Sequence, residues 1–119
     1  MSLGMPDAVS SVLATALDGL ATRQNVIADN IANVDTPGFR ATSVDFESSL
    51  LAAIQRGQMP AAGLAPVTEA SNAPVGSDGN NVDLRQESLS AVQTQFQYQM
   101  MSRAVSDRFA LVSTAAGAF

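Results

Sequence analysis

Apolar positions along the chain fall into two long helical patterns, separated by a turn and an irregular middle. In the first, Val9, Leu13, Ala16, Leu20, Ile27, Ile31 and Val34 recur at steps of four, three, four, seven, four and three. That is a heptad seam with one gap, filled by Gln24. Val12 and Leu17 widen the stripe, and Ser10, Asp18, Thr22, Asn25 and Asp29 make the opposite face polar. Pro6 suits a first helical turn and Asp7 the positive end of the helix dipole. The pattern predicts a helix from about residue 6 to 34, roughly 42 Å long. Few helices of compact domains reach that length.

Asp35-Thr36-Pro37-Gly38-Phe39-Arg40 ends it. Pro37 drives Thr36 out of the α region, and Pro-Gly at the two central positions is a type II turn. Thr42, Ser43 and Asp45 then offer caps for a short helix over about Val44 to Gln55. Phe46, Leu50 and Ile54 would share one of its faces, and Gly57 would end it. From Gly57 to Asn80, seven of 24 residues are Gly or Pro, only Glu69 and Asp78 are charged, and no period is sustained. This stretch is expected to be a long loop or a partly extended linker.

The last segment runs without Gly or Pro from Leu84 to Ala116. Asn81 or Asp83 can cap it, with Gln86 three residues after Asp83 as in a capping box. Leu89, Val92, Phe96 and Met100 form one stripe. Tyr98, Met101, Val105, Phe109, Val112 and Ala116 form another, on roughly the opposite side at about 100° per residue. One amphipathic helix of the same chain covers only one side of its partner. The second stripe is therefore expected to meet other chains.

Composition narrows the function classes. The 119 residues are 46% hydrophobic, mostly through alanine, with five Phe, one Tyr and no Trp. Alanine favours helix but fills little core volume. Six Arg against 11 acidic residues leave a net charge of −5, which disfavours nucleic acid and anionic membrane surfaces. Without Cys or His there is no disulfide, thiol nucleophile, catalytic triad or ordinary zinc site. Neither an enzyme nor a cofactor or small-molecule substrate is expected. No apolar run is long enough to span a bilayer. Met1 to Asp7 lacks a basic region, so a cleaved signal peptide is not expected either.

The most specific motif is Asn30-Ile31-Ala32-Asn33-Val34-Asp35-Thr36-Pro37-Gly38-Phe39. Local physics accounts for Asp35, Thr36, Pro37 and Gly38 as turn residues. It does not account for two asparagines late in a helix, since Asn is a modest helix former. Amide side chains there can donate and accept across a packed interface. The block Asn30-Ile31-Ala32-Asn33 followed by Asp35-Thr36-Pro37-Gly38-Phe39 resembles the signature of the axial proteins of the bacterial flagellum, the rod and hook subunits. Phe39 stands where tyrosine is usual. Gly79-Asn80-Asn81-Val82-Asp83-Leu84, Glu87, Gln95-Phe96-Gln97-Tyr98-Gln99 and Arg108-Phe109-Ala110-Leu111 narrow the resemblance to proximal rod subunits of that family. It covers both terminal helices and the turn, and leaves the middle out.

The resemblance implies a fold and an assembly. The fold is all-α: long N- and C-terminal helices pair as an antiparallel coiled coil, with a short helix and an irregular middle. Residues 1–34 and 81–119 are the coiled-coil helices and 35–80 the turn, short helix and flexible segment, together one structural unit. The subunit would polymerise in the rod of the basal body, in the periplasmic space, and carry torque. Its partners would be itself, other rod proteins, the membrane-ring protein, the rod-base adaptor and the flagellar type III export apparatus. Contacts are assigned to the motif residues and to Val82, Phe96, Tyr98, Met101, Val105, Phe109 and Val112. Another rod member, or a helical adaptor or secreted interaction module, is the alternative; a discrete dimer that never extends would mark the adaptor.

Weaker candidates have bland readings. Asp45 and Glu47, two residues apart, do not face each other on a helix. The glutamines at 93, 95, 97 and 99 form either interhelical hydrogen bonds or a solvated border. Arg103 and Asp107 are spaced for a weak helix pair. Arg23, Arg40 and Arg108 are exposed by default, with inter-subunit salt bridges as the sharper option.

Overall fold

A computed structural model describes residues 4–58 and 64–117. Three helices and two short strands follow in the order α1 (Gly4–Ala32), β1 (Thr42–Asp45), α2 (Glu47–Arg56), β2 (Val67–Ala70) and α3 (Leu84–Gly117). The long helices lie side by side and run antiparallel. Gln24 bonds Gln95 at 2.6 Å, Asn30 bonds Glu87 at 2.8 Å, and Leu13 lines the same groove as Val105. The molecule is elongated, 66 × 26 × 17 Å.

Helix dominates, but the expectation of an all-α fold is corrected. β1 and β2 pair antiparallel, with Thr42 opposite Ala70 and Asp45 opposite Val67. The middle is thus not irregular throughout, although residues 59–63 of it lie outside the described residues. Four-residue strands are too short to show an alternation that stands out from noise. Thr42, Ser43 and Asp45, expected as caps, belong to β1, so the short helix starts at Glu47 rather than Val44. Asp45 still caps it: its Oδ1 accepts the Ser48 N–H at 3.1 Å. Gly57 ends it with φ 69°, as expected. Helix α1 begins at Gly4, ahead of Pro6; the side chain of Asp7 is outside the described residues.

The core sits midway along the hairpin. Ala16 and Leu20 of α1, Val44 of β1 and Phe46 form its centre, with Val26, Leu50, Tyr98 and Met101 packed around them. Gly19 makes this possible. A Cβ there would stand 2.3 Å from the Phe46 ring, so the ring lies directly on the backbone of α1. Glycine inside a helix costs about 1 kcal/mol relative to alanine; here the ring's packing replaces it. Arg23 covers the same ring, with its guanidinium carbon 5.0 Å from the centroid.

Candidate functional site

The helix end and the Pro-Gly turn are bound to the start of α3 by a polar clasp. Asn30 is its centre, only 1% exposed. Its Nδ2 donates to Thr42 O at 2.7 Å and to Glu87 Oε1 at 2.8 Å. Its Oδ1 accepts from Thr42 N at 3.2 Å. Asn30 therefore gives β1 what a neighbouring strand would give it, and also joins α1 to α3. Arg23 does the same one step along, donating to Val44 O at 2.6 Å. The β1 edge facing α1 is thus bonded to side chains rather than to backbone.

Asn33 ends the helix locally. Its Nδ2 donates to Asp29 O at 2.8 Å and its Oδ1 accepts from Thr36 Oγ1 at 3.0 Å. Phe39 N donates to Thr36 O at 3.2 Å and Gly38 has φ 77°, so the type II turn forms as expected. A second turn locks onto it. Gly38 N donates to Asp78 O at 2.9 Å, and Asn80 Nδ2 reaches both Asn33 O and Thr36 O at 2.8 Å. Gly79, with φ 84°, lies so close that a Cβ would be 3.2 Å from Gly38 Cα. Arg40 Nε donates to Gly79 O at 2.8 Å.

Asn81, expected as an alternative cap for the last helix, faces away from it. Its Oδ1 accepts from Ala41 N at 2.6 Å. Asp83 is the cap: its Oδ1 accepts from Gln86 N at 3.2 Å. Asn80 and Asn81 are the clasp residues whose bonding the sequence did not reveal. The available signal was two adjacent amides closing a Gly- and Pro-rich stretch.

Electrostatics are local. Arg23 and Glu47 form a bidentate pair at 2.6 and 2.8 Å, so Arg23 is spent within the subunit rather than exposed. The hydrogen bonds from Arg23 hold the Glu47 carboxyl below its ordinary pKa. Asp45 is held down chiefly by the Ser48 N–H and hydroxyl. Gln95 meets Gln24, the residue in the gap of the heptad seam.

The remaining motif residues are dispersed. Ile31 and Val34 are half-buried, while Ala32, Asp35 and Pro37 are exposed. Val82 N donates to Asn80 Oδ1 at 2.7 Å. On α3, Tyr98, Met101 and Val105 turn toward α1, with Thr94 at 2% exposure on the same side. Phe96 is 63% exposed, and Leu89, Val92 and Met100 share its outward stripe. Phe109 and Val112 are exposed at the lip of a groove between α1 and α3.

A helical hairpin tied at one end by amides, with a continuous apolar stripe on the outside, has the form of a building block. Its surface suits packing against other chains, not chemistry. Comparison with known proteins agrees. The model of the family described as flagella basal body rod protein matches residues 11–40. The chain is 36% identical to the flagellar basal body rod protein FlgB of Escherichia coli, over 76% of this chain and 80% of the relative. It is 33% identical to FlgB of Borreliella burgdorferi, over 72% and 78%, and 30% identical to FlgB of Bacillus subtilis, over 86% and 88%. The chain belongs to the flagellar basal body rod proteins. Within them it is of FlgB type, a structural subunit of the proximal rod that assembles with other rod and basal-body components, and not an enzyme.

Proposed function

We propose that the subunit polymerises through its terminal helices. The helices α1 and α3 form an antiparallel coiled coil that packs side by side with those of neighbouring subunits in a helical tube. In that tube it transmits torque from the membrane ring toward the distal rod, in the periplasmic space. Its neighbours are further copies, other rod proteins, the ring protein and the rod-base adaptor, and it arrives through the flagellar type III export apparatus. Rotational load is spread over many apolar and amide contacts, with no chemistry at any residue.

The observation that supports this reading is the outward stripe of α3. A ridge of Leu89, Val92, Phe96 and Met100 exposes large apolar side chains over about three helical turns. Solvated monomers rarely keep such a continuous ridge, whereas subunits of assemblies need one. In the same reading, the residues from Asn30 to Phe39, with Val82, set the angle at which the helices leave the clasp. Phe96, Phe109 and Val112 meet neighbours, and Tyr98, Met101 and Val105 hold the ridge in place from behind.

The test is Phe96→Asp in a strain lacking the wild-type copy. Because Phe96 points outward, the purified variant is expected to keep its helical content and melting temperature, while cells lose rods and motility. Normal swimming by the variant would remove the ridge from the assembly interface.

A further inference from the structure

Two features of α3 lie side by side. The first is the groove between the amino-terminal half of α1 and the carboxy-terminal half of α3. Leu13, Leu17, Val105, Phe109 and Val112 make it apolar, with a volume of about 440 Å³. Arg108 also lines it, and Arg108 Nε is buried with no hydrogen-bond partner among the described residues. A buried guanidinium N–H without a partner is completed by an acceptor from whatever fills the groove, and a carboxylate suits it best.

The second is the outward ridge. At about 100° per residue, Met100, Asp107 and Leu111 fall within roughly 40° of one another on the helix, on the side that also carries Leu89 and Phe96. Asp107 is exposed and therefore stands in line with the apolar ridge. The outer face of α1 offers no such combination: Asp18 and Asp29 there are flanked by Ser11, Thr22 and Asn25. Helix α2 exposes Leu51 and Ile54, but its carboxylate, Glu47, is already paired with Arg23. The outward face of α3 at Asp107, with Leu111 one turn on, supplies both apolar bulk and an exposed carboxylate.

We infer that the carboxy-terminal end of this outward face, Met100 to Leu111, seats in the groove of the next copy, with Asp107 of one subunit paired to Arg108 of its neighbour. This rests on the polymerising role proposed above and assigns its contact between like subunits. Adjacent residues on one helix differ by about 1.5 Å in height and about 100° in direction. The contact is therefore lateral, nearly without stagger. Ridge and groove are different surfaces, so each copy keeps one of each free for the next, and the contact propagates instead of closing as a dimer.

The test uses the absence of cysteine from the chain. Two copies are co-expressed in cells lacking the wild-type gene, one carrying Ala14→Cys in the groove and the other Ala104→Cys beside the ridge. A disulfide joining the two types can then form only between copies. Oxidation of intact basal bodies is expected to give a covalent dimer that neither variant gives alone. In parallel, Arg108→Glu is expected to cut rod yield on the order of 30-fold. Arg108→Glu combined with Asp107→Arg is expected to restore it. Motile cells with intact rods but no mixed dimer would overturn the inference and leave the rod role standing, as would a double variant no better than Arg108→Glu. Loss of motility on Phe96→Asp, scored in the same strain, keeps the two questions apart.

Discussion

Asn30 is the position whose loss the clasp predicts most sharply. Asn30→Ala removes two neutral hydrogen bonds to Thr42 and one charged bond to Glu87. At about 1 kcal/mol for each neutral bond and about 1.5–3 for the charged one, the loss is about 3.5–5 kcal/mol. That is a large share of the about 5–15 kcal/mol that holds a domain folded. With a urea slope of about 1.5 kcal/mol per molar, the midpoint followed at 222 nm moves down by about 2–3 M. Asn30→Asp refines the test. It keeps the acceptor for Thr42 N but sets a carboxylate against Glu87, and each raises the pKa of the other. A carboxyl whose folded pKa is raised destabilises the fold at neutral pH, and the penalty fades as pH falls through that raised value. The variant is therefore expected to be weaker than Asn30→Ala at pH 7 and to recover toward pH 4–5. A midpoint shift under 1 M for Asn30→Ala, or no added pH dependence for Asn30→Asp, would refute the central place given to this amide.

Gly19→Ala raises intrinsic helix propensity by about 1 kcal/mol, yet it is expected to lower the melting temperature because its methyl group collides with the Phe46 ring. Pairing it with Phe46→Leu should recover part of the loss. Gly38 has open space around it but φ 77°, so Gly38→Val is expected to cost about 1–2 kcal/mol and Gly38→Asn distinctly less; equal stabilities would undo the turn assignment. Glu47 is held below its ordinary pKa by Arg23, so its contribution is present above the unfolded pKa and disappears as pH falls through the folded one. Glu47 is half exposed and screened by solvent, so Glu47→Gln is expected to cost only about 0.2–1 kcal/mol at pH 7 and nothing at pH 2, by urea titration at both pH values.

Helix α3 and the turn were legible because each is set by neighbours in sequence. Pro37 and Gly38 fix their own φ, Asp83 caps three residues ahead, and the absence of Gly and Pro leaves α3 uninterrupted. The two-sidedness of α3 was legible for the same reason, since 3.6-residue periodicity needs no partner to be read. What escaped was non-local. β1 exists because of β2, 25 residues away, and because Asn30 and Arg23 supply its other edge. The partner of Arg23 is Glu47, and nothing local to either points to the other. Gly19 carried a signal, an interior helical glycine without a local reason, but only the fold supplies Phe46 as the reason. Asn80 and Asn81 read as punctuation before a helix; their amides are spent on carbonyls and an N–H that the turn brings to them.

The hairpin is fastened at one end and along its middle, and not at the carboxy-terminal tip of α3. Amides cross-tie its elements from Asn30 to Asn81, while from Phe109 to Gly117 every residue of α3 is exposed. Such a peg is braced at its knuckle and by its core, and bare at the tip. If subunits pack side by side as proposed, the bare tip is the part a neighbour can clothe without disturbing the knuckle.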